Sequence, residues 1–200
     1  MISATRQMEI SQWFGLVPPE ESWLGYYAAT SYLSNDEQHG ETMVGVSGWH
    51  TDGYCAQYPY AQVILHPLNV SLKGDTLITS IPKALQDMPP RFRQFLSRIN
   101  YYIVDGYAKG NTNPLLVKHH ITGRQTLQFY FGTKCRRDVM IETKKGVLPL
   151  PEEETKKLSS FFEDTFQNPH IMHRLHWEAG DFLVMDNWGV GHIGTMDTQL

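Results

Sequence analysis

GDFLVMDNWGVGHIG, residues 180–194, opens with an apolar run, breaks at Asp186-Asn187 and ends on a histidine set between Gly191 and Ile193-Gly194. The histidine, His192, stands 142 residues after His50 of WHTDGY (49–54). If the two meet, the fold must close on itself. A jelly roll does so, because its first and last core strands lie side by side at one mouth. Read alone, His192 is equally a loop histidine.

WHTDGY sets His50 and Asp52 one residue apart. In an extended strand they point the same way, with Thr51 turned opposite, so an imidazole nitrogen and a carboxylate oxygen converge. Two histidines and one carboxylate with open positions suit non-haem Fe(II) oxygenases. Three protein ligands plus water also suit catalytic zinc. Without a third ligand, the pair reads as a hydrogen-bonded couple at a strand end. The competing histidines make poorer partners: His119 and His120 are adjacent, and His173 and His176 lie three apart, so each pair faces opposite ways in a strand.

The chain has 200 residues, enough for one domain over 1–200 that buries roughly 70 % of its unfolded surface. Charged residues are 19 %, aromatics 12 % and the formal net charge is −4, a globular balance that argues against a nucleic-acid footprint and for a small-molecule partner. Cys55 and Cys135 form no CxxC motif and no disulfide framework, which suits a reducing compartment. No stretch approaches the roughly 18 apolar residues of a membrane span, and MISATRQMEISQWFG lacks the apolar centre of a signal peptide. The cytoplasm is the expected location, with no membrane partner.

Short strand-like runs separated by Gly, Pro or Asn recur: AQVILHP (61–67), DTLITS (75–80), NYYIVD (100–105), PLLVKHH (114–120), QTLQFYF (125–131), IMHRLHW (171–177) and DFLVMDN (181–187). Their number and punctuation predict a sandwich or barrel. Thr122-Gly123 and Ala179-Gly180 are expected to close two antiparallel hairpins. PEEETKKLSSFFEDTFQNP (151–169) carries Leu158, Phe161, Phe162 and Phe166 at helical spacing, acids in its first turn and Asn168-Pro169 as a stop. It predicts one amphipathic helix packed on a sheet, its aromatics in the core, and PPRFRQFLSRI (89–99) predicts a shorter one. The expected fold class is mainly β with flanking helices, a double-stranded β-helix or jelly roll.

WHTDGY, GDTLITS, HHITGRQTLQF and HRLHWEAGDFLVMDNWGVGH, in that order, resemble the taurine dioxygenase (TauD/TfdA-like) family of Fe(II)- and 2-oxoglutarate-dependent oxygenases. The resemblance runs from about Gln12 to the C-terminus. It implies that His50, Asp52 and His192 bind Fe(II), and that Thr76 hydrogen-bonds the distal carboxylate of 2-oxoglutarate. It also implies oxidation of an unactivated C–H bond of a small molecule by O2, hydroxylation being the family outcome, with release of succinate and CO2. Related halogenases have a small residue where Asp52 stands, so Asp52 favours oxygenation. Trp49 is read as packing that shields the metal, and Tyr54, Gln57 and Tyr58 as substrate contacts.

One feature of the family pattern does not appear. An arginine roughly ten residues beyond the distal histidine pairs with the co-substrate's far carboxylate, whereas here the sequence reads HIGTMDTQL. The chain therefore reads as short at both ends, without the usual C-terminal strand, or as anchoring 2-oxoglutarate through Lys118, Arg124, Lys134, Arg136 or Arg137. Two rival functions stay open: a metal-binding or degenerate jelly roll that has lost 2-oxoglutarate turnover, and a zinc hydrolase.

Overall fold

A computed structural model describes residues 2–15, 48–56, 59–70, 74–104, 109–131 and 137–195. The described chain runs α1 (Ala4–Gln12), β1 (Gln62–Leu65), β2 (Thr76–Ser80), α2 (Ile81–Asp87), α3 (Pro90–Leu96), β3 (Ile99–Ile103), β4 (Thr112–Pro114), β5 (Leu116–Lys118) and β6 (Gln125–Leu127). It continues with β7 (Arg137–Thr143), β8 (Gly146–Pro149), α4 (Glu152–Phe166), β9 (Met172–Leu175), β10 (Leu183–Asp186) and β11 (Val190–Gly194). The fold is mainly β with flanking helices.

Every strand expected from the sequence forms over part of its range, and early strands pair with late ones. β1 runs antiparallel to β10, and β2 lies between β11 and β9. A third sheet has the order β4-β3-β7-β8, and β5 pairs with β6 through the Thr122-Gly123 turn, as expected. The second expected hairpin does not form. The chain does turn at Gly180 (φ +96°), but β9 pairs with β2 and β10 with β1. The turn carries the chain from one sheet to another, as strands in a double-stranded β-helix do, so sequence neighbours are not ladder neighbours.

α4 forms where expected. Glu152, Glu153 and Glu154 occupy its first turn, where the helix dipole favours negative charge, and Lys156 pairs with Glu152 at 2.8 Å. Pro169, lacking an amide hydrogen, cannot extend it. Leu158, Phe162 and Phe166 recur every fourth residue and are buried, the two phenylalanines completely. Phe161, one step round, is 38 % exposed and packs on Phe92 of α3 at 4.5 Å. The buried stripe meets Phe129, Phe131 and Trp49, each buried aromatic ring stabilising the closure by about 1.5–3 kcal/mol. This core fixes the back of the sheet that carries the two distant histidines.

Candidate metal centre

The segment before β1 enters the sheet between two partners. His50 bridges His192 on one side and Tyr130 on the other, both antiparallel. His50 and His192 exchange backbone hydrogen bonds of 3.1 and 3.0 Å, while Thr51 donates its amide to Phe129 and Phe131 donates to Trp49. Residues 142 apart in sequence thus become cross-strand neighbours, with ring centroids 4.4 Å apart. Two glycines permit the approach. A Cβ on Gly191 would lie 2.7 Å from the Phe129 ring, so only glycine lets β11 close over that core aromatic. Gly53 has φ +66°, and a Cβ there would press to 3.1 Å on the Tyr60 ring, so the turn after Asp52 also demands glycine.

His50, Asp52 and His192 place one ligand atom each within 4.8 Å of one another, the sole such His/Cys/Asp/Glu group of three or more found among the described residues. The His50 ring is set by Nδ1, which lies 2.8 Å from the Gly48 carbonyl and must donate to it. Neutral His50 then turns the lone pair of Nε2 toward Asp52 Oδ1, 3.3 Å away. Two electron-pair donors facing each other at that distance suit a cation between them, a proton at low pH or a metal ion. His192 Nε2 approaches the other carboxylate oxygen at 3.9 Å, and its Nδ1 is buried without a hydrogen-bond partner among the described residues. The three donors therefore fit a divalent metal ion.

Electrostatics leaves Asp52 and His192 deprotonated near neutral pH. Burial alone would raise the Asp52 carboxyl, but the charges of His192 and His50 and the hydrogen bond from His50 outweigh it and hold it at about 2. Burial, with the His50 charge beside it, lowers His192 to about 4, against the opposing pull of Asp52. Between about pH 6.5 and 4 the unfolded chain therefore binds a proton at His192 that the folded chain does not, so folding stability falls as pH falls through that window. The expected loss in the metal-free protein is on the order of 3 kcal/mol. It is read as the pH-dependent gap between urea midpoints of the wild type and His192→Asn, and a constant gap would contradict it.

Thr76 lies on the same face as His192. β2 and β11 pair Ile78 with His192 and Thr76 with Gly194, so Thr76 is one pleat, about 7 Å, along that face. Its hydroxyl oxygen accepts a 2.9 Å hydrogen bond from the Trp177 indole, which leaves the hydroxyl hydrogen for an acceptor such as a carboxylate. Next door, Asp75 is buried and holds Arg174 Nε and His176 Nδ1, the latter at 2.6 Å. Burial would raise its carboxyl, yet these two partners lower it.

Other expectations are redistributed. Trp49 packs edge-on against Phe166 at 5.6 Å, on the core side of its strand, and does not cover the triad, because adjacent strand residues face opposite ways. Tyr54 is buried, stacked on Tyr130 at 5.3 Å and edge-on to Tyr101 at 5.8 Å, which makes it part of the wall. Gln57 and Tyr58 lie outside the described residues. Tyr60 was not singled out by any pattern, yet burial and the Asp52 charge raise its phenol, which places it beside the carboxylate. His119 and His120 do not face opposite ways: they leave β5 into the turn and stack at 5.1 Å. His119 Nε2 meets Asp186 Oδ2 at 2.8 Å while its Nδ1 accepts from the Ile121 and Thr122 amides, a use that pins the hairpin. Of the basic candidates, Lys118 and Arg124 are exposed and Lys134 and Arg136 lie outside the described residues. Arg137 stacks over Tyr101 and Tyr130 at 5.3 and 5.4 Å, and Tyr130 in turn touches the His50 ring at 5.8 Å.

Residues 2–198 match the taurine catabolism dioxygenase TauD, TfdA family. The chain belongs to that family. Among curated proteins, a 3-((Z)-2-isocyanoethenyl)-1H-indole synthase of Fischerella ambigua (strain UTEX 1903) is 28 % identical over 123 residues, which cover 60 % of this chain and 45 % of that protein. Among solved structures, AAD-2 in complex with Mn(II) and N-oxalylglycine superposes with a TM-score of 0.74 at 14 % identity, over 97 % of this chain and 75 % of that one. A putative alpha-ketoglutarate-dependent taurine dioxygenase from Burkholderia xenovorans gives 0.70 at 20 % identity, over 100 % of this chain and 68 % of that one. A taurine dioxygenase from the same organism gives 0.60 at 22 % identity, covering 78 % and 55 %. The chain thus spans about half the length of the curated relative it matches. The solved structures share its jelly-roll fold.

Proposed function

We propose that this TauD/TfdA-family chain is an Fe(II)- and 2-oxoglutarate-dependent dioxygenase that oxidises an unactivated C–H bond of a small molecule, with succinate and CO2 as co-products. The observation that carries the reading is the convergence of His50, Asp52 and His192 within 4.8 Å at the meeting point of the chain's first and last described core strands. In this reading the two imidazoles and Asp52 would hold Fe(II). Bound Fe(II) with 2-oxoglutarate would supply the electrons that activate O2, the oxidant of the substrate C–H bond. His50 keeps its metal-facing lone pair because Gly48 holds the opposite nitrogen's proton, and His192 stays neutral because it is buried. Thr76 donates its hydroxyl to the far carboxylate of the co-substrate, oriented by Trp177.

The net charge of −4 supports a small-molecule substrate over nucleic acid. No helix among the described residues is long and apolar enough to cross a membrane. The two cysteines, too few for a disulfide framework, support a reducing compartment such as the cytoplasm. The single domain of 1–200 is supported by pairings that tie β1 and β2 to β10 and β11. The test is anaerobic addition of Fe(II) and then 2-oxoglutarate. A visible metal-to-ligand charge-transfer band is expected. Fe(II) binding with no band at saturating 2-oxoglutarate would reduce the chain to a metal-binding jelly roll and overturn the oxygenase reading.

A further inference from the structure

Asn187 ends the apolar run of β10 and is 1 % exposed, a burial that a primary amide tolerates only when its hydrogen-bonding groups are satisfied. They are, and by one target above all. Asn187 Oδ1 accepts the Asp52 amide at 2.9 Å, and Nδ2 donates to the Asp52 carbonyl at 2.8 Å and to the Tyr60 carbonyl at 2.9 Å. Its own backbone amide donates to Ala61 at 3.1 Å. The orientation of the amide is not arbitrary: reversed, it would set a donor against the Asp52 amide and an acceptor against two carbonyls.

We infer that Asn187 is the positioning residue for Asp52, fixing the backbone on both sides of that residue so that its carboxylate meets His50 and His192. This rests on the metal reading of the triad and goes beyond it. Asp52 sits in a turn, with no ladder of its own to hold it, and its side chain is about a third exposed (35 %). Without the clamp, the turn from Asp52 to Ala56 would be anchored mainly further on, where Asn113 donates to the Tyr54 and Ala56 carbonyls. Asn187 is also five residues before His192, so the segment joining β10 to β11 delivers one ligand directly and sets another through its backbone. Partners that orient metal ligands typically control affinity ten- to a hundred-fold.

The experiment titrates the metal-free protein with Co(II), reading affinity and the visible d–d spectrum, with folding checked by circular dichroism and thermal midpoint. Asn187→Asp keeps the shape and the acceptor but turns an oxygen toward the Asp52 and Tyr60 carbonyls, and Asn187→Ala removes the clamp. Both are expected to lose roughly ten- to a hundred-fold in Co(II) affinity and to change the d–d band. Asn113→Asp, which disturbs the same turn away from Asp52, is expected to keep the wild-type spectrum. Folded Asn187 variants with wild-type affinity and spectrum would overturn the inference while leaving the triad intact. No Co(II) binding by the wild type would overturn the triad reading itself. Should neither variant fold, amide hydrogen exchange in the wild type decides: a slowly exchanging Asp52 amide supports the clamp, and exchange at open-loop rates refutes it.

Discussion

Alanine at His50, Asp52 or His192 is expected to abolish tight Fe(II) binding and turnover, because each change removes one of the three donors that the described residues bring together. The loss should exceed the roughly ten- to a hundred-fold that outer-sphere partners control. The three variants are not equivalent in their effect on the fold. His192 is buried and belongs to β11, whereas Asp52 lies in a turn with its side chain 35 % exposed. Asp52→Gly therefore keeps the backbone bonds to Asn187, which use no side-chain atom of residue 52, and opens a coordination position without unfolding the chain. Its oxygenation rate should fall steeply while its thermal midpoint stays near that of the wild type. Full hydroxylation by Asp52→Gly, or wild-type iron affinity in His192→Ala, would place the ligands elsewhere.

The convergence of His50, Asp52 and His192 was legible in part from local signals: WHTDGY sets two donors one residue apart, and glycine beside His192 marks a close approach. The choice of His192 over a loop histidine came from the family resemblance, and Asp52 lies in a turn rather than in the expected strand. Pairing partners were less legible. Ala179-Gly180 turns the chain as its composition suggests, but a turn residue encodes a change of direction and not which strand receives the next one. α2 escaped notice because it is only seven residues long and starts directly from β2, with Ile81, Ala84 and Leu85 too few to establish a period. β7 and β8 were missed because RDVMIET and GVLP carry little alternation and are mostly outside the buried core. The roles of Trp177 and Asn187 depend on contacts spanning 101 and 135 residues, which no local pattern records.

Removing the Thr76 hydroxyl should weaken 2-oxoglutarate binding and leave the metal alone. A hydrogen bond to a charged group contributes about 1.5–3 kcal/mol, so Thr76→Val is expected to raise the 2-oxoglutarate Kd by roughly ten- to a hundred-fold at unchanged Fe(II) affinity. Valine keeps the β-branched shape that suits β2, but it also leaves the Trp177 indole hydrogen without its acceptor, so some stability will be lost. Thr76→Ser separates the two effects: it restores a hydroxyl to both partners and should recover most of the affinity. Trp177→Phe retains the Thr76 hydroxyl but frees its rotation, and should cost less than Thr76→Val. The measurement is an anaerobic titration of the Fe(II) protein with 2-oxoglutarate, followed through the charge-transfer band. Arg137→Ala, Lys118→Ala and Arg124→Ala run alongside, since these are the described basic residues that the sequence offers as carboxylate anchors, and Arg137 is the one stacked on a ring that touches His50. Wild-type affinity in Thr76→Val would show that the far carboxylate does not reach this face of β2, and that the hydrogen-bonded pair of Trp177 and Thr76 serves only to join β2 to the segment after β9.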